Sequence, residues 1–211
     1  MKHRVAFLHT SPPAIAPLMQ FYSREAPEFE IVNLLDDGLL QHFREGESSA
    51  AESALLELVA RVYTKYQVQA AMLTCSAVSA AMLRSLQQAS PVPLLKVDVP
   101  MAAAAATLGR RIGVAYTFAP TLEPTTALFA SDVEVLPRLV TGAYEALLAG
   151  RMDEHDNLVL AGLETFLPRA EVIVLAQVSM ARVLPQLRAD FPVPVLSSLE
   201  TSLTALRKVF A

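Results

Sequence analysis

Residues 70–98, AAMLTCSAVSAAMLRSLQQASPVPLLKVD, and residues 172–200, VIVLAQVSMARVLPQLRADFPVPVLSSLE, read alike: an apolar segment, a small polar turn, a helical pattern, then a strand opened by Pro-Val-Pro. Pro91 matches Pro192 at an offset of 192 − 91 = 101, and Cys75 matches Gln177 at 177 − 75 = 102, so one residue slips in the helical region. Upstream, RVAFLHTSPP (4–13) is echoed by RRIGVAYTFAP (110–120), with His9-Thr10-Ser11 against Tyr116-Thr117-Phe118. The likeness keeps chain order across both halves and predicts two similar α/β units of about 100 residues each.

The rest of the chain fits that division. Val5 to Leu8 and Phe29 to Leu35 read as strands, with a helix between them marked by Ile15, Leu18, Met19 and Tyr22. Asp36-Asp37-Gly38 is turn chemistry, and Leu55, Leu56, Val59, Val62 and Tyr63 recur at helical spacing. An alanine-rich helix from Pro100 to Leu108 closes the first half. The second half predicts strands at Ile112 to Tyr116, Val133 to Leu136 and Val172 to Ala176. Its helices fall at Thr121 to Phe129, Thr141 to Leu148 and Asp153 to Phe166, with another running to about Ala189 and a last one reaching Ala211. Strands alternating with helices predict an α/β protein of two pseudo-symmetric parallel-sheet domains, helices on both faces of each sheet and a cleft between them. The expected domains are 1–98 with about 203–211, and 99–202.

Composition narrows the partners. With 53% hydrophobic residues and a mean hydropathy of +0.39, the 211 residues hold ample core. A net charge of −4 without a Lys/Arg cluster gives no footprint for nucleic acid or an anionic membrane, and Lys96 and Asp98 interrupt the longest apolar region. Met1-Lys2-His3-Arg4 resembles the start of a signal peptide, but the apolar run that follows stops at His9, so a cytoplasmic protein is expected. A single cysteine excludes an internal disulfide and a cysteine-based metal cage. Gly109 and Gly113 do not fit a phosphate loop.

Ligands of open parallel sheets bind beyond the carboxyl ends of the strands, so the loops after the paired strands should converge on the cleft with Cys75 and Gln177 on opposite walls. Cys75 has two readings. It is either a buried small hydrophobe or, with Ser76 capping the following helix, a thiolate whose pKa is lowered beside an anion pocket. Thr10, Ser11, Ser76, Ala77, Thr117, Val178 and Ser179 are candidate donors to a carboxylate, each equally readable as ordinary capping or loop chemistry. Gln177 can orient a carboxylate but has no proton to exchange near neutral pH. His9 is a candidate acid or base, or a structural hydrogen bonder. Asp153-Glu154-His155-Asp156 looks metal-like, but acidic residues entering a helix suit its dipole, and no metal site is expected. Lys96 and Asp98 are placed at the surface, within reach of the cleft mouth.

These motifs carry a family resemblance over nearly the whole chain. Thr74-Cys75-Ser76-Ala77, Leu175-Ala176-Gln177-Val178 and Ala115-Tyr116-Thr117 resemble the two cysteine turns and the second-half loop of the aspartate/glutamate/hydantoin racemase superfamily, which includes maleate isomerases and arylmalonate decarboxylase. The resemblance implies two pseudo-symmetric domains, no cofactor or metal, a homodimer, and a small carboxylate substrate handled by a cysteine on each wall. Here Gln177 replaces the second cysteine, which disfavours two-thiol racemisation. What remains is an isomerase or lyase using Cys75 for proton transfer or covalent addition, or a catalytically degenerate carboxylate-binding protein. In arylmalonate decarboxylase the lone cysteine lies in the second turn; in this chain it lies in the first.

Overall fold

The structure, a computed structural model, describes residues 2–211. The first half runs β1 (His3–His9), α1 (Ile15–Glu25), β2 (Phe29–Leu35), α2 (Leu39–Glu45), α3 (Ser48–Thr64), β3 (Ala70–Leu73), α4 (Ala80–Ala89) and β4 (Leu94–Lys96), followed by α5 (Val99–Leu108). The second runs β5 (Arg111–Tyr116), α6 (Leu122–Thr126), β6 (Glu134–Leu139), α7 (Ala143–Leu148), α8 (Met152–Glu164), β7 (Val172–Leu175) and β8 (Val195–Leu196), followed by α9 (Ser198–Val209). Met1 of the signal-like start lies outside the described residues, while His3 and Arg4 open β1.

Each half builds a four-stranded parallel sheet with the same strand order, β2-β1-β3-β4 and β6-β5-β7-β8. The central strands are apolar without interruption because both of their faces are covered, the pattern expected of parallel sheets. Along β1 and β3, Val5, Phe7, Ala70 and Met72 enter one core while Ala6, Leu8, Ala71 and Leu73 enter another. In β7, Val172 and Val174 face one core and Ile173 and Leu175 the opposite one. This period of two makes a four-residue strand into a wall shared by two helical layers.

The halves are tied by an exchange of helices. After β4, Met101 and Ala105 of α5 pack on Ile112, Val114, Val172 and Val174 of the second sheet. After β8, Leu199, Leu203 and Leu206 of α9 pack on Val5, Phe7, Ala70 and Met72 of the first. The hydroxyls of Tyr22 and Ser202 meet at 2.9 Å inside that contact, and Arg207 Nε donates to Glu28 at 2.7 Å on its rim. Burial of these leucines, each worth roughly 1.5–3 kcal/mol, holds the two sheets in a fixed relation.

Several local elements differ from the sequence reading. Leu39–Glu45 forms a helix where only a turn was legible, ended by Gly46 in the left-handed region at φ 75°. The segment after β7 is a 3-10 helix over Val178–Gln186 rather than a helix to about Ala189. Pro185 inside it lacks the N–H that a longer α-helix needs. The cap of α4 is Ser79, whose side chain accepts from Met82 N, so Ser76 does not cap that helix.

Candidate functional site

Parallel register points the carboxyl ends of β1 and β3, and of β5 and β7, toward one gap between the sheets. The loops that leave them enclose a cavity of about 50 Å³. From the first half it is lined by Thr10, Ser11, Cys75, Ser76 and Ala77, and from the second by Gln177, Val178 and Ser179. Cys75 and Gln177 therefore meet one space from opposite halves. Ser179 also lines a larger, mainly apolar groove of 710 Å³ running outside the same loops between Pro17 and Phe21 of α1 and Leu184 of the 3-10 helix.

Burial pushes the Cys75 thiol above its ordinary value. The Thr10 side chain, the Ala77 backbone N–H and the Lys96 ammonium pull the other way, and Asp98 adds to the rise. This corrects the expected lowered thiol pKa. The first turn of α4 begins at Ala80, well past the sulfur, so its unpaired N–H groups are not the local field, and desolvation wins. In this setting the group is a neutral thiol at neutral pH.

Gln177 is held by its oxygen. Oε1 accepts from Thr117 N at 2.7 Å, Thr117 Oγ1 at 3.0 Å and Phe118 N at 3.2 Å. Two of those donors are backbone N–H groups, so that position can only be the oxygen, and the amide nitrogen is the free end. Thr117 thus serves the site through Gln177 and is not among the cavity-lining residues. Ser76 Oγ donates to Ala176 O at 2.5 Å, joining the two walls.

His9 is not brought into the cavity. It is fully buried, with Nε2 2.9 Å from Asn33 Oδ1 and Nδ1 2.8 Å from Thr74 Oγ1, and burial lowers its pKa against the pull of Asn33. Lys96 and Asp98, expected at the surface, are 1% exposed and paired at 2.8 Å beneath the cysteine turn, where Lys96 Nζ also donates to Ser76 O at 3.2 Å. Burial raises the Asp98 carboxyl above the usual range, with Lys96 opposing. His155 and Asp156 turn inward. Burial would raise Asp156, but hydrogen bonds from Arg182, His155 and Gln186 outweigh it and hold the carboxyl low, which makes that run a structural anchor.

Sequence reasoning missed Leu40, Phe118, Thr121 and Tyr144, which also line the cavity. Leu40 belongs to the unforeseen α2. Phe118 sits one residue beyond the Tyr116-Thr117 motif, and its repeat position opposite Ser11 was the available signal. Tyr144 gave no local signal, since it stands in an ordinary apolar helix.

No curated protein matches the chain. Among solved structures it is similar to glutamate racemase from Francisella tularensis subsp. tularensis SCHU S4 in complex with D-glutamate, at 14% identity over 99% of this chain and 81% of that one, with a TM-score of 0.73. It is likewise similar to allantoin racemase from Pseudomonas fluorescens, at 19% identity over 98% and 90%, with a TM-score of 0.73. A liganded double mutant of arylmalonate decarboxylase matches at 16% over 99% and 92%, with a TM-score of 0.68. These likenesses show a shared two-sheet α/β fold. The Asp/Glu/Hydantoin racemase family description matches residues 18–206, so the chain belongs to that enzyme family. Among the described residues no helix is long and apolar enough to cross a membrane.

Proposed function

We propose that the cleft is the reaction site of a cofactor-independent isomerase or lyase that works at the carbon beside the carboxylate of a small acid. The observation that carries this reading is the meeting of Cys75 and Gln177, from opposite halves, on one buried cavity. The lining offers hydroxyls of Thr10, Ser11 and Ser179 together with the Gln177 amide, and it includes no Lys, Arg, His, Asp or Glu side chain. Such neutral donors suit a carboxylate that becomes an enediolate, because they are already oriented when charge builds on its oxygens. The buried thiol suits a proton donor better than a nucleophile. In the lyase form of the reaction, the bond to a departing carboxylate breaks and carbon dioxide leaves. The electron pair stays on carbon as an enediolate, the Cys75 S–H delivers its proton to that carbon, and water returns a proton to sulfur.

The competing reading is a binding protein of the same fold. Gln177 favours it, since its oxygen is tied to Thr117 and Phe118 and its amide exchanges no proton in the catalytic sense. Incubation in heavy water with malonate-type diacids and with α-substituted monoacids separates the two. The enzyme reading expects carbon dioxide release or deuterium at the α-carbon, reduced on the order of 10²–10⁴-fold in Cys75→Ser. Equal yields from wild type and Cys75→Ser would leave binding as the function. The thiol's raised pKa adds a pH signature. Alkylation by iodoacetamide should be slow at neutral pH and climb only above the ordinary thiol range of about 8.5.

A further inference from the structure

Among the buried tyrosines of this chain, Tyr22 and Tyr144 contrast in how their hydroxyls are met. Tyr22, packed between the first sheet and α9, places its hydroxyl 2.9 Å from Ser202 Oγ. Tyr144, 5% exposed, buries its Oη with no hydrogen-bond partner among the described residues. A buried phenol ordinarily finds a partner, because an unmade hydrogen bond costs far more than a made one contributes. Other buried side-chain polar atoms share this condition, among them Asp98 Oδ1, Thr125 Oγ1 and His155 Nε2, yet of these residues only Tyr144 lines the cavity with Cys75.

The backbone brings it there. Gly142, in the left-handed region at φ 83°, turns the chain after β6 so that α7 starts over the cleft. The Tyr144 ring lies 5.2 Å from the Phe118 ring and joins the first half's core beside Leu39, Cys75, Ala77 and Val78. Phenylalanine would satisfy all of that packing. The hydroxyl is the part that packing does not require, and it meets no partner in hydrogen-bond geometry among the described residues.

We propose that Tyr144 is a substrate-binding residue of this cleft, its phenol O–H donating to a carboxylate or enediolate oxygen of the guest from the second half's wall. The inference rests on reading the cavity as a reaction site. Burial raises the phenol's pKa, with the Ser11 side chain and Arg44 working against the rise, so the group stays protonated and acts as a donor. Ser11, on the facing loop, is near enough to lower the phenol's pKa but does not meet it in hydrogen-bond geometry, and it lines the same cavity, so a single carboxylate can take hydrogen bonds from both. The second wall then contributes two neutral donors, the Tyr144 hydroxyl and the Gln177 amide, where the repeat alone pointed to one.

The test uses the full chain labelled with fluorotyrosine, in which the five tyrosines give five fluorine resonances, together with Tyr144→Phe. Malonate, maleate and acetate are the probes, and protection of Cys75 from alkylation reports their binding. The expected result is that a protecting acid shifts the Tyr144 resonance and raises that phenol's titration. Tyr144→Phe should weaken protection roughly 10- to 100-fold, as for loss of one hydrogen bond to a charged acceptor. Should Tyr144→Phe not fold, Phe substitutions at Tyr22, Tyr63, Tyr66 and Tyr116 assign the resonance by elimination. Protection of wild type with an unmoved Tyr144 resonance, or equal protection of Tyr144→Phe, overturns the role of Tyr144 and leaves the cleft's function standing. No protection of wild type by any of the acids overturns both.

Discussion

The turns that carry Cys75 and Gln177 stand at the same place in the two halves, but they are held by different means. The cysteine turn is supported from below by a buried ion pair, with Lys96 bonding both Asp98 and the carbonyl of Ser76. At the matching place after β8 the chain has Ser197-Ser198-Leu199, and Ser197 simply caps α9 by accepting from Leu199 N. The glutamine turn is supported sideways, by its own side chain reaching the β5 loop at Thr117 and Phe118. One backbone plan thus tolerates two polar arrangements, each fixing its turn through buried hydrogen bonds from a different direction. The difference also divides the labour. The first wall keeps a proton-bearing sulfur at the cavity, and the second presents only neutral hydrogen-bond donors.

Removing the support of the first wall should have the largest effect. Lys96→Met leaves the Asp98 carboxylate buried and unpaired, and the expected loss in urea unfolding is about 3–5 kcal/mol. Replacing both partners, as Lys96→Met with Asp98→Leu, should recover most of that loss, because the charge left behind is what costs. An equal loss in single and double variants would mean that the pair shapes the turn beyond its charge. On the second wall, Gln177→Ala deprives the Thr117 and Phe118 N–H groups of their acceptor and should cost about 1–3 kcal/mol by the same measurement. A value near zero would show that water replaces the amide oxygen and that the wall is not held sideways. Smallest is the link between the walls: Ser76→Ala removes the bond to Ala176 O and should cost about 1 kcal/mol while making Cys75 alkylate faster through a looser cleft. An unchanged alkylation rate would place the closing force in the exchanged helices instead.

His9 adds a pH dependence to the same frame. Its folded pKa is lowered, so the stability it contributes is present above its ordinary value of about 6.5 and is lost as pH falls through the lower folded value. Of the two roles the sequence left open for His9, acid or base and structural hydrogen bonder, its place between Asn33 and Thr74 fits the second.

Local pattern was enough to read the two units, their parallel sheets and the facing of Cys75 and Gln177. Apolar periodicity and turn residues act over a few positions, and a repeat at an offset of 101 to 102 places equivalent turns at equivalent strand ends. Tertiary structure decided what those turns touch. The burial of Lys96 and Asp98, the engagement of His9, the raised pKa of Cys75 and the arrival of Tyr144 at the cavity all depend on neighbours from other elements, often across the two halves. The exchange of α5 and α9 is of the same kind, because which sheet a helix covers depends on the path of the whole chain and not on the helix's own apolar face.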